Sequence, residues 1–526
     1  MTGNIQVKNE SFDSPAIDAA DFSVPGGQSF LERLTAPRRP AVTAGTVVMA
    51  MSPGEVHDIG KTVIQSLFRV SGYRVIDLGT IPTAQDLARA AAEHRADIVG
   101  VSCMLTSSLT QLKEIARALE EQDLDVNLLV GGPGLNPVMT ACHIAPFYTR
   151  GVTVYVKDLY HCQDVIRQLS DPQRRAGLKK SLELEYTEVR SQYLGNQFSK
   201  EVLSLHEARQ RRTPVTWSMF EAIRPSFLGN WVIESLDLKE LTDYIDWSTL
   251  FLGFALKGKY PQIFRDPAIG DRARTVYDDA CALLDRIVKE KRLSPRAVIG
   301  FYPANSAGDD IEIYSDRDGK SMIGVLHTLR QQARHDEGKP YYALADFIAP
   351  RESGRTDFIG AFVVSCGFGI EQLQDEFKAA GDEYRLIMVK VLADCLAEAL
   401  AEKLHMRVRK EYWGYAPDED LSVQDMYRCQ FQGIRPAPGY PACPEHSQKE
   451  FLFELLDARA NLGIELTPSY AMAPAASVCG FYFAHPQAKY FWLGTVGRDQ
   501  VEDYARRTDM DIRQVEDLLR MNLNYV

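Results

Sequence analysis

The stretch that decides the fold is TVVMAMSPGEVHDIGKTVIQSLFRVSGYRVIDLG, residues 46–79. It begins with the apolar run TVVMA, continues through GKTVIQSLFRV, whose apolar residues recur at the helical period, and ends with the apolar run RVIDLG. Short apolar runs bounded by turn residues are typical of buried strands, and a strand, helix, strand order is typical of a parallel βαβ unit. The segment therefore predicts two parallel strands joined by an amphipathic helix.

The same alternation continues toward the C-terminus. Three further apolar runs follow: DIVGVS (97–102), NLLVGG (127–132) and VTVYV (152–156). They are separated by helical stretches such as AQDLARAAAEH and SSLTQLKEIARALEE. Five buried-type strands that alternate with helices predict an α/β domain with a doubly wound, five-stranded parallel sheet. The ligand of such a sheet lies at the carboxyl ends of its strands, here in loops 51–60, 79–83, 102–108 and 131–137.

The chain divides into four segments by composition. Residues 1–43 are polar and dotted with Pro and Gly, which predicts a flexible leader ahead of a first domain at 44–170. Residues 171–215 are charged and poor in bulky apolar residues, as expected of an interdomain linker. Residues 216–526 are richer in aromatics and mix helical stretches with apolar strands, so we predict a separate α+β domain there.

The overall composition is that of an ordinary globular protein. A net charge of −12 disfavours broad electrostatic contact with nucleic acid or an anionic membrane surface. The nine cysteines include no CxxC pair, which fits a reducing compartment. The N-terminus lacks the order of a signal peptide and no run of 18 apolar residues follows. We therefore predict a cytoplasmic protein without a nucleic-acid or membrane partner.

The heptapeptide GEVHDIG, residues 54–60, follows the first predicted strand and opens the first predicted helix. It places His57 at the ligand edge of the sheet, where imidazole is a common nitrogen ligand for a transition metal. Glu55, two residues away, can accept the proton on the other ring nitrogen. A histidine that only caps the helix remains an alternative from this motif alone, and Gly131 with Gly132 also fits a simple turn.

Taken together, these residues resemble the cobalamin-binding domain of cobalamin-dependent methionine synthase and corrinoid methyltransferase proteins. The resemblance implies a flavodoxin-like fold in which the histidine replaces the cofactor's own benzimidazole as the lower cobalt ligand. It implies that His57 is that ligand and that Glu55 and Ser108 form its hydrogen-bond relay. The implied cofactor-binding residues are Gly60, Ser102, Thr106, Gly131 and Gly132.

Two positions depart from the family pattern. Glu55 stands where the family has an aspartate, and Met104 stands where the family's Ser-x-Leu motif has its leucine. The longer arm of Glu55 can still hydrogen-bond the imidazole but places it less tightly. We therefore expect an altered pH dependence or altered cobalt–histidine occupancy. Met104 is a conservative apolar change.

The C-terminal segment carries a second set of motifs. Five of them stand in this order: KGKYP (257–261), FYPANSAGDDIEIY (301–314), VRKEYWGYAP (408–417), GIRPAPGYPACPEH (433–446) and RDQVEDYARR (498–507). Together they resemble the S-adenosylmethionine-binding reactivation domain of the same family over almost the whole segment. Without that resemblance RPAPGYPACP is typical of a proline-rich surface turn. Cys443 and His446 lack the second pair of ligands that a zinc site requires.

The resemblance implies an S-adenosylmethionine pocket in this domain. Such a pocket needs a carboxylate for the ligand's ammonium and a positive or amide donor for its carboxylate. The planar guanidinium of Arg435 suits a carboxylate, and the flanking prolines keep its loop extended. The family pattern falls on these residues: Asp246, Glu398, Arg435, Ala437, Tyr440 and Tyr490.

The resemblance further implies a methyltransferase cycle. In the family, cobalamin carries a methyl group to homocysteine as methylcobalamin, and oxidised cofactor is restored by reductive methylation with S-adenosylmethionine. The family's homocysteine, folate and cap modules do not fit within the 43 residues ahead of the first strand. We therefore predict the corrinoid methyl-carrier subunit of a split methionine synthase in methionine biosynthesis. Its expected partners are separate homocysteine- and methyl-donor-binding subunits and a flavodoxin-like or other one-electron reductant.

Two alternatives stay open from the sequence. In the first, the methyl donor is a betaine, a methylamine or a sulfonium compound handled by another methyltransferase. In the second, the chain is a non-catalytic cobalamin sensor or storage protein. Sensors of this fold usually carry a DNA-binding or signalling module, and neither a helix-turn-helix nor a basic arm is apparent in the sequence.

Overall fold

The computed structural model describes residues 44–81, 83–104, 108–197, 201–217, 220–233, 236–316, 319–335 and 338–525. The predicted leader, residues 1–43, lies outside the described residues, and so does the predicted cofactor-binding residue Thr106. Below, "N-terminal domain" means residues 44–169 around the first sheet. "C-terminal domain" means the residues from 229 onward around the second sheet.

The first sheet is the one that the sequence predicts. It has five parallel strands in the order β2-β1-β3-β4-β5. The strands are β1 (Thr46–Met51), β2 (Arg74–Thr80), β3 (Ile98–Ser102), β4 (Asn127–Gly131) and β5 (Thr153–Val156). The strand order reverses between β1 and β3, and a ligand of such a sheet binds at the carboxyl ends of the strands beside that reversal. The predicted doubly wound parallel sheet is confirmed.

Helices pack on both faces of this sheet. They are α1 (Ile59–Val70), α2 (Ala84–Glu93), α3 (Leu109–Glu121), the short α4 (Pro137–Met139) and α5 (Leu159–Leu169). Leu67 of α1 shares a buried cluster with Val47 of β1, whereas Leu87 of α2 and Leu112 of α3 share another with Val48. Successive side chains of a strand point to opposite faces of the sheet. Val47 therefore packs against the helices on one face of the first sheet, and Val48 packs against the helices on the other face.

A 26-residue helix, α6 (Pro172–Gln197), comes next. The buried Tyr186 donates its hydroxyl to the carbonyl of Thr153 at 3.1 Å, and Arg190 donates to the carbonyl of Ala141 at 2.9 Å. The segment predicted as a charged linker thus includes a helix that packs on the N-terminal domain. The predicted domain boundaries themselves stay predictions.

The second sheet is antiparallel and has the strand order β13-β10-β7-β8-β9, with β6 paired to β7. Its strands are β6 (Gly229–Ile233), β7 (Arg296–Ala307), β8 (Asp310–Tyr314), β9 (Met322–His327), β10 (Asp357–Ser365) and β13 (Ser477–Tyr482). A small ladder pairs β11 (Glu465–Leu466) with β12 (Met472–Ala473). The predicted α+β domain after the parallel sheet is confirmed.

Several helices precede and surround this second sheet. They are α7 (Leu205–Gln210), α8 (Trp247–Gly253), α9 (Gly270–Glu290), α10 (Ile370–Ala380), α11 (Glu383–Arg407), α12 (Val423–Tyr427), α13 (Gln448–Leu455), α14 (Ala458–Leu462), α15 (Arg498–Thr508) and α16 (Ile512–Leu518). Helix α11 is buried over most of its 25 residues and packs on both β10 and β13. Among the described residues, every helix is too short or too polar to cross a membrane.

The two domains contact each other mainly through α1 and α11. One buried apolar cluster contains Val63 and Leu67 of α1 together with Val391 of α11 and Phe254, which follows α8. Because this cluster is continuous across the two domains, their relative position brings the carboxyl edge of the first sheet against the C-terminal domain.

Candidate functional site

The loop 52–58 connects β1 to α1 at the carboxyl edge of the first sheet and carries both Glu55 and His57. The backbone N–H of Ser52 donates to the carbonyl of Ser102 at 3.0 Å, which fastens the loop to the end of β3. The predicted residue Ser102 therefore lies beside the start of the histidine loop, across the point where the strand order reverses.

Glu55 is buried in this loop and hydrogen-bonds to the segment after β3. Its Oε1 accepts from the hydroxyl of Ser108 at 2.9 Å and from the backbone N–H of Met104 at 3.1 Å. Ser108 is fully buried at the start of α3. Of the predicted relay, the pairing of Glu55 with Ser108 is present in the geometry, whereas no hydrogen bond joins Glu55 to the imidazole of His57 within the described residues.

His57 faces the C-terminal domain. Its imidazole lies close to the backbone of Ala475, and within the described residues its buried Nδ1 has no hydrogen-bond partner. Burial, and to a lesser degree the nearby ammonium of Lys449, lowers the pKa of His57, while Ala475 and Asp58 act in the opposite direction. The imidazole is therefore neutral near pH 7, which is the form that coordinates a metal.

The predicted glycines have different surroundings. A Cβ on Gly60 would meet no atom of the chain within 4 Å, so the surface beside His57 is open there. Gly132 has a positive φ of 121°, and a Cβ on it would overlap the carbonyl oxygen of Cys103. A Cβ on Gly131 would lie 3.0 Å from the carbonyl oxygen of Val156. Backbone packing between strand ends explains the need for glycine at positions 131 and 132.

These residues fit a corrinoid held by an axial histidine. A buried imidazole nitrogen without a protein partner and an adjacent carboxylate with a serine partner form a suitable donor set for a transition metal. The open surface at Gly60 leaves room beside the loop. His57 would hold the cobalt, and the Glu55–Ser108 pair would orient the imidazole.

A loop of the C-terminal domain holds the histidine loop from the other side. The hydroxyls of Thr467 and Ser469 both donate to the carbonyl of Gly54, at 2.5 and 2.7 Å. Gly54 has a φ of 81°, and a Cβ on it would lie 2.6 Å from the hydroxyl of Ser469. Glycine is therefore required at position 54 both by its backbone conformation and by the neighbouring domain.

Arg435 is the centre of a second polar cluster in the C-terminal domain. Its Nη2 lies 2.5 Å from Oε2 of Glu402, its Nη1 lies 3.2 Å from Nδ1 of His405, and its backbone N–H donates to the hydroxyl of Tyr490 at 3.0 Å. Glu402 raises the pKa of Arg435 although burial acts to lower it. The guanidinium is thus a fixed cation beside the predicted Tyr490.

The loop that carries Arg435 is fastened at its base and open at its tip. The backbone N–H of Phe481 donates to the carbonyl of Pro436 at 2.9 Å, and the thiol of Cys443 donates to the carbonyl of Ala437 at 2.8 Å. The rings of Tyr440 and Tyr490 are 57% and 43% exposed. Two exposed aromatic rings beside a fixed guanidinium form a cleft wall suited to a small polar ligand with a flat group.

The two predicted acidic residues border the same region. Asp246 caps the N-terminus of α8, where its Oδ1 accepts from the backbone N–H of Ser248 at 3.0 Å. Glu398 lies on α11, one turn before Glu402, and it acts electrostatically on both Arg435 and Tyr440. The structure thus brings Glu398, Arg435, Tyr440 and Tyr490 together.

Three charged residues of α11 escaped the sequence predictions. Lys390, Asp394 and Glu402 share one face with Glu398 because they recur every four residues. Burial, with the nearby carboxylates of Glu398 and Asp58, raises the pKa of Asp394 to about 7. The signal was present in the sequence as a charge at every fourth position of an otherwise apolar helix.

The geometry fits a class of protein: a two-domain corrinoid protein in which the loop that carries His57 is buried against a domain with its own polar cleft. Residues 45–145 match the family model for the B12 binding domain, and residues 237–509 match that for the activation domain of vitamin B12 dependent methionine synthase. The chain belongs to the family of vitamin B12 dependent methionine synthase activation domains and carries a B12 binding domain ahead of it. The family predicted from sequence is confirmed, as is cobalamin as cofactor.

Three solved structures illustrate the similarity. The MetH reactivation domain bound to AdoHcy is 48% identical over 62% of this chain and 99% of that chain, with a TM-score of 0.60. The methanol:cobalamin methyltransferase complex MtaBC from Methanosarcina barkeri is 25% identical over 26% of this chain and 48% of that chain, with a TM-score of 0.22. A cobalamin-binding protein from Desulfitobacterium hafniense is 24% identical over 24% of this chain and 58% of that chain, with a TM-score of 0.21.

Proposed function

We propose that this protein is a corrinoid methyl carrier that contains its own reactivation domain. The observation that carries the proposal is the contact between the two domains at the histidine loop. The carbonyl of Gly54 accepts two hydrogen bonds from the loop that includes Thr467, and the imidazole of His57 lies close to the backbone of Ala475. A domain that touches the axial-ligand loop is positioned to act on the cofactor that the loop binds.

In this proposal the N-terminal domain holds and tunes the cofactor. Bound cobalamin supplies a cobalt centre that accepts and gives up a methyl group. His57 would hold the cobalt, and Glu55 with Ser108 would set the orientation and basicity of the imidazole. In the arrangement described here, the imidazole of His57 lies close to the backbone of Ala475 in the C-terminal domain. Contact between the domains therefore competes with coordination for the same side chain.

The C-terminal domain is proposed to bind S-adenosylmethionine in the cleft at Arg435. The guanidinium of Arg435 receives the carboxylate of the ligand, because a planar fork matches that group. Glu398 and Asp246 receive the ammonium, and Tyr440 and Tyr490 flank the rest of the ligand. The 48% identical relative, which was solved with AdoHcy bound, supports this assignment. The protein's part in the transfer is to orient the methyl carbon and to exclude water.

We further propose that the methyl donor and homocysteine are bound by separate partner subunits, which makes this chain one component of a split methionine synthase. A one-electron reductant of the flavodoxin type would drive reactivation. Purified candidate subunits, mixed with this chain and with either methyltetrahydrofolate or a methylated amine, betaine or sulfonium compound, would separate the possible donors. Methionine formed from homocysteine only with methyltetrahydrofolate is the expected result.

The experiment that tests the proposed function uses the purified full chain loaded with aquacobalamin. The cofactor is reduced to its cobalt(II) form, S-adenosylmethionine and a low-potential electron donor are added, and the visible spectrum is followed. We expect the spectrum of the methylated cofactor to appear, and no change when AdoHcy replaces S-adenosylmethionine, because AdoHcy has no methyl group to give. Cofactor that binds but stays unmethylated would contradict the proposed reactivation.

A further inference from the structure

The strongest polar contact between the two domains joins helices α1 and α11. The ammonium of Lys390, on α11, donates to both carboxylate oxygens of Asp58 at 2.8 and 2.7 Å and to the hydroxyl of Thr62 at 3.0 Å. The side chain of Lys390 is only 7% exposed. Its three donors are thus used by three oxygen atoms of the opposite domain.

Asp58 stands at a position where its carboxylate has another natural partner. It is the N-cap residue of α1, and aspartate at an N-cap normally accepts a hydrogen bond from the first free backbone N–H groups of its own helix. In the described structure its side chain makes no such capping bond. The carboxylate is turned to Lys390 instead, and Thr62 supports this arrangement by donating its hydroxyl to the carbonyl of Asp58 at 2.9 Å.

We propose that Lys390 is a positioning residue for the axial-histidine loop: its ammonium draws the Asp58 carboxylate away from the N-terminus of α1 and fixes the adjacent His57 against the C-terminal domain. The inference rests on the proposed function, because it assigns to this contact the docking that reactivation needs. Asp58 follows His57 directly in sequence, so a change in its partner is transmitted to the histidine through one peptide unit.

The charges around this pair make it specific to the docked arrangement. Lys61, the neighbouring cation on α1, is already bound to Asp77 at 2.5 Å. Asp394, one turn along α11, provides a second carboxylate near Lys390. When the domains separate, Lys390 and Asp58 both return to water, whereas in the docked arrangement a variant that removes one of the two charges leaves the other without its partner, which is strongly unfavourable.

A second ion pair between α1 and α11 contributes less to the docking of the two domains. Nη1 of Arg69 lies 3.3 Å from Oε1 of Glu383, and the side chain of Arg69 is 33% exposed. Solvent-exposed pairs contribute little because water and salt screen them. Docking should therefore depend on Lys390 and respond only weakly to Arg69.

The test is small-angle X-ray scattering of the full chain without cofactor, so that it does not depend on cobalamin binding. We expect Lys390→Met to lower the equilibrium constant for docking by roughly tenfold or more, seen as a larger radius of gyration. Asp58→Asn, on the more exposed partner, should have a similar effect. The double variant should be little worse than either single variant, because both remove the same interaction. Lys289→Met, at an exposed lysine of α9, is the matched control.

A second readout follows the histidine itself. In cobalamin-loaded protein reduced to cobalt(II), the nitrogen splitting in the electron paramagnetic resonance spectrum reports coordination by His57. We expect Lys390→Met to raise the coordinated fraction, with cobalamin affinity unchanged. Scattering curves of Lys390→Met and Asp58→Asn that superimpose on wild type would overturn the inference. Failure of the wild-type protein to bind cobalamin would instead contradict the proposed function. The scattering result would still hold, because it is measured without cofactor.

Discussion

Arg435 and Glu402 form a buried ion pair in which Nη2 and Oε2 are 2.5 Å apart, at the back of the proposed ligand cleft. The side chain of Glu402 is 7% exposed, and its second oxygen, Oε1, has no hydrogen-bond partner among the described residues. His405, fully buried and stacked on Tyr482, contacts the guanidinium from the other side. The cation is therefore fixed before any ligand arrives, and this lowers the entropic cost of binding.

We predict that Glu402→Gln destabilises the protein by about 2 kcal/mol, because it leaves the charge of Arg435 buried without a counter-charge. Urea unfolding of the cofactor-free chain measures this. The double variant Glu402→Met with Arg435→Met should be more stable than the sum of the two single changes, since both charges are removed together. Glu371→Gln, at an exposed position of α10, is the control. Additive single and double effects would contradict the pairing.

Arg435→Met is predicted to lower the affinity for AdoHcy at least tenfold, that is by about 1.4 kcal/mol or more, because it removes the cation that is proposed to pair with the ligand's carboxylate. Isothermal titration calorimetry of the full chain measures the dissociation constant directly. Arg459→Met, at an arginine that pairs with Glu450 away from the cleft, should keep wild-type affinity. Equal affinities of Arg435→Met and wild type would exclude Arg435 from the binding site.

Glu55→Asp is predicted to change the pH dependence of the bound cofactor's visible spectrum between about pH 5 and 9. The shorter side chain alters the hydrogen bond to Ser108, now 2.9 Å, and with it the placement of the carboxylate that is proposed to orient His57. Glu114→Asp, at an exposed position of α3, should leave the spectrum unaltered. A Glu55→Asp spectrum that matches wild type across the whole range would contradict the relay.

Gly132→Ala is predicted to destabilise the N-terminal domain by about 3 kcal/mol. A Cβ at this positive-φ position would overlap the carbonyl oxygen of Cys103, and the backbone must move to make room. Gly177 offers a matched control because it lies on α6, is exposed and has nothing within 4 Å of its Cβ position. Gly177→Ala should stabilise the chain by up to about 1 kcal/mol through helix propensity. Thermal unfolding of both variants checks the difference in sign.

His485 is predicted to make the folded state less stable as the pH falls. Burial lowers its pKa to about 4, and its Nδ1 accepts a hydrogen bond from the backbone N–H of Gln487 at 3.1 Å. Below about pH 6.5 the unfolded chain binds a proton that the folded chain does not, so stability falls until the pH reaches about 4. The loss should be about 2 kcal/mol, after allowance for solvent screening.

The measurement for His485 is urea unfolding at a series of pH values. His485→Phe keeps an aromatic ring beside Trp217 and Phe220 and should remove this part of the pH dependence. If wild type and His485→Phe have parallel stability curves between pH 6.5 and 4, the assignment is wrong.

The sequence by itself determined the features that depend on local pattern. The apolar runs 46–50 and 97–102 became buried strands of the parallel sheet, because a strand buried on both faces requires an uninterrupted apolar segment. The sequence also placed His57 at the carboxyl edge of the first sheet, because the motif GEVHDIG lies between a strand and the helix that follows it. Ser108 could be paired with Glu55 only through the family resemblance, and the structure gives their hydrogen bond a length of 2.9 Å.

Only the tertiary structure decided which distant charges meet. Lys390 and Asp58 are 332 residues apart, and Arg435 and Glu402 are separated by 33, so no spacing rule within one helix or strand relates them. Each pair forms because packed elements bring two opposite charges together where at least one of them is buried, so that removing one charge leaves the other without its partner. The direction in which His57 points was decided in the same way, by the docking of one domain on the other.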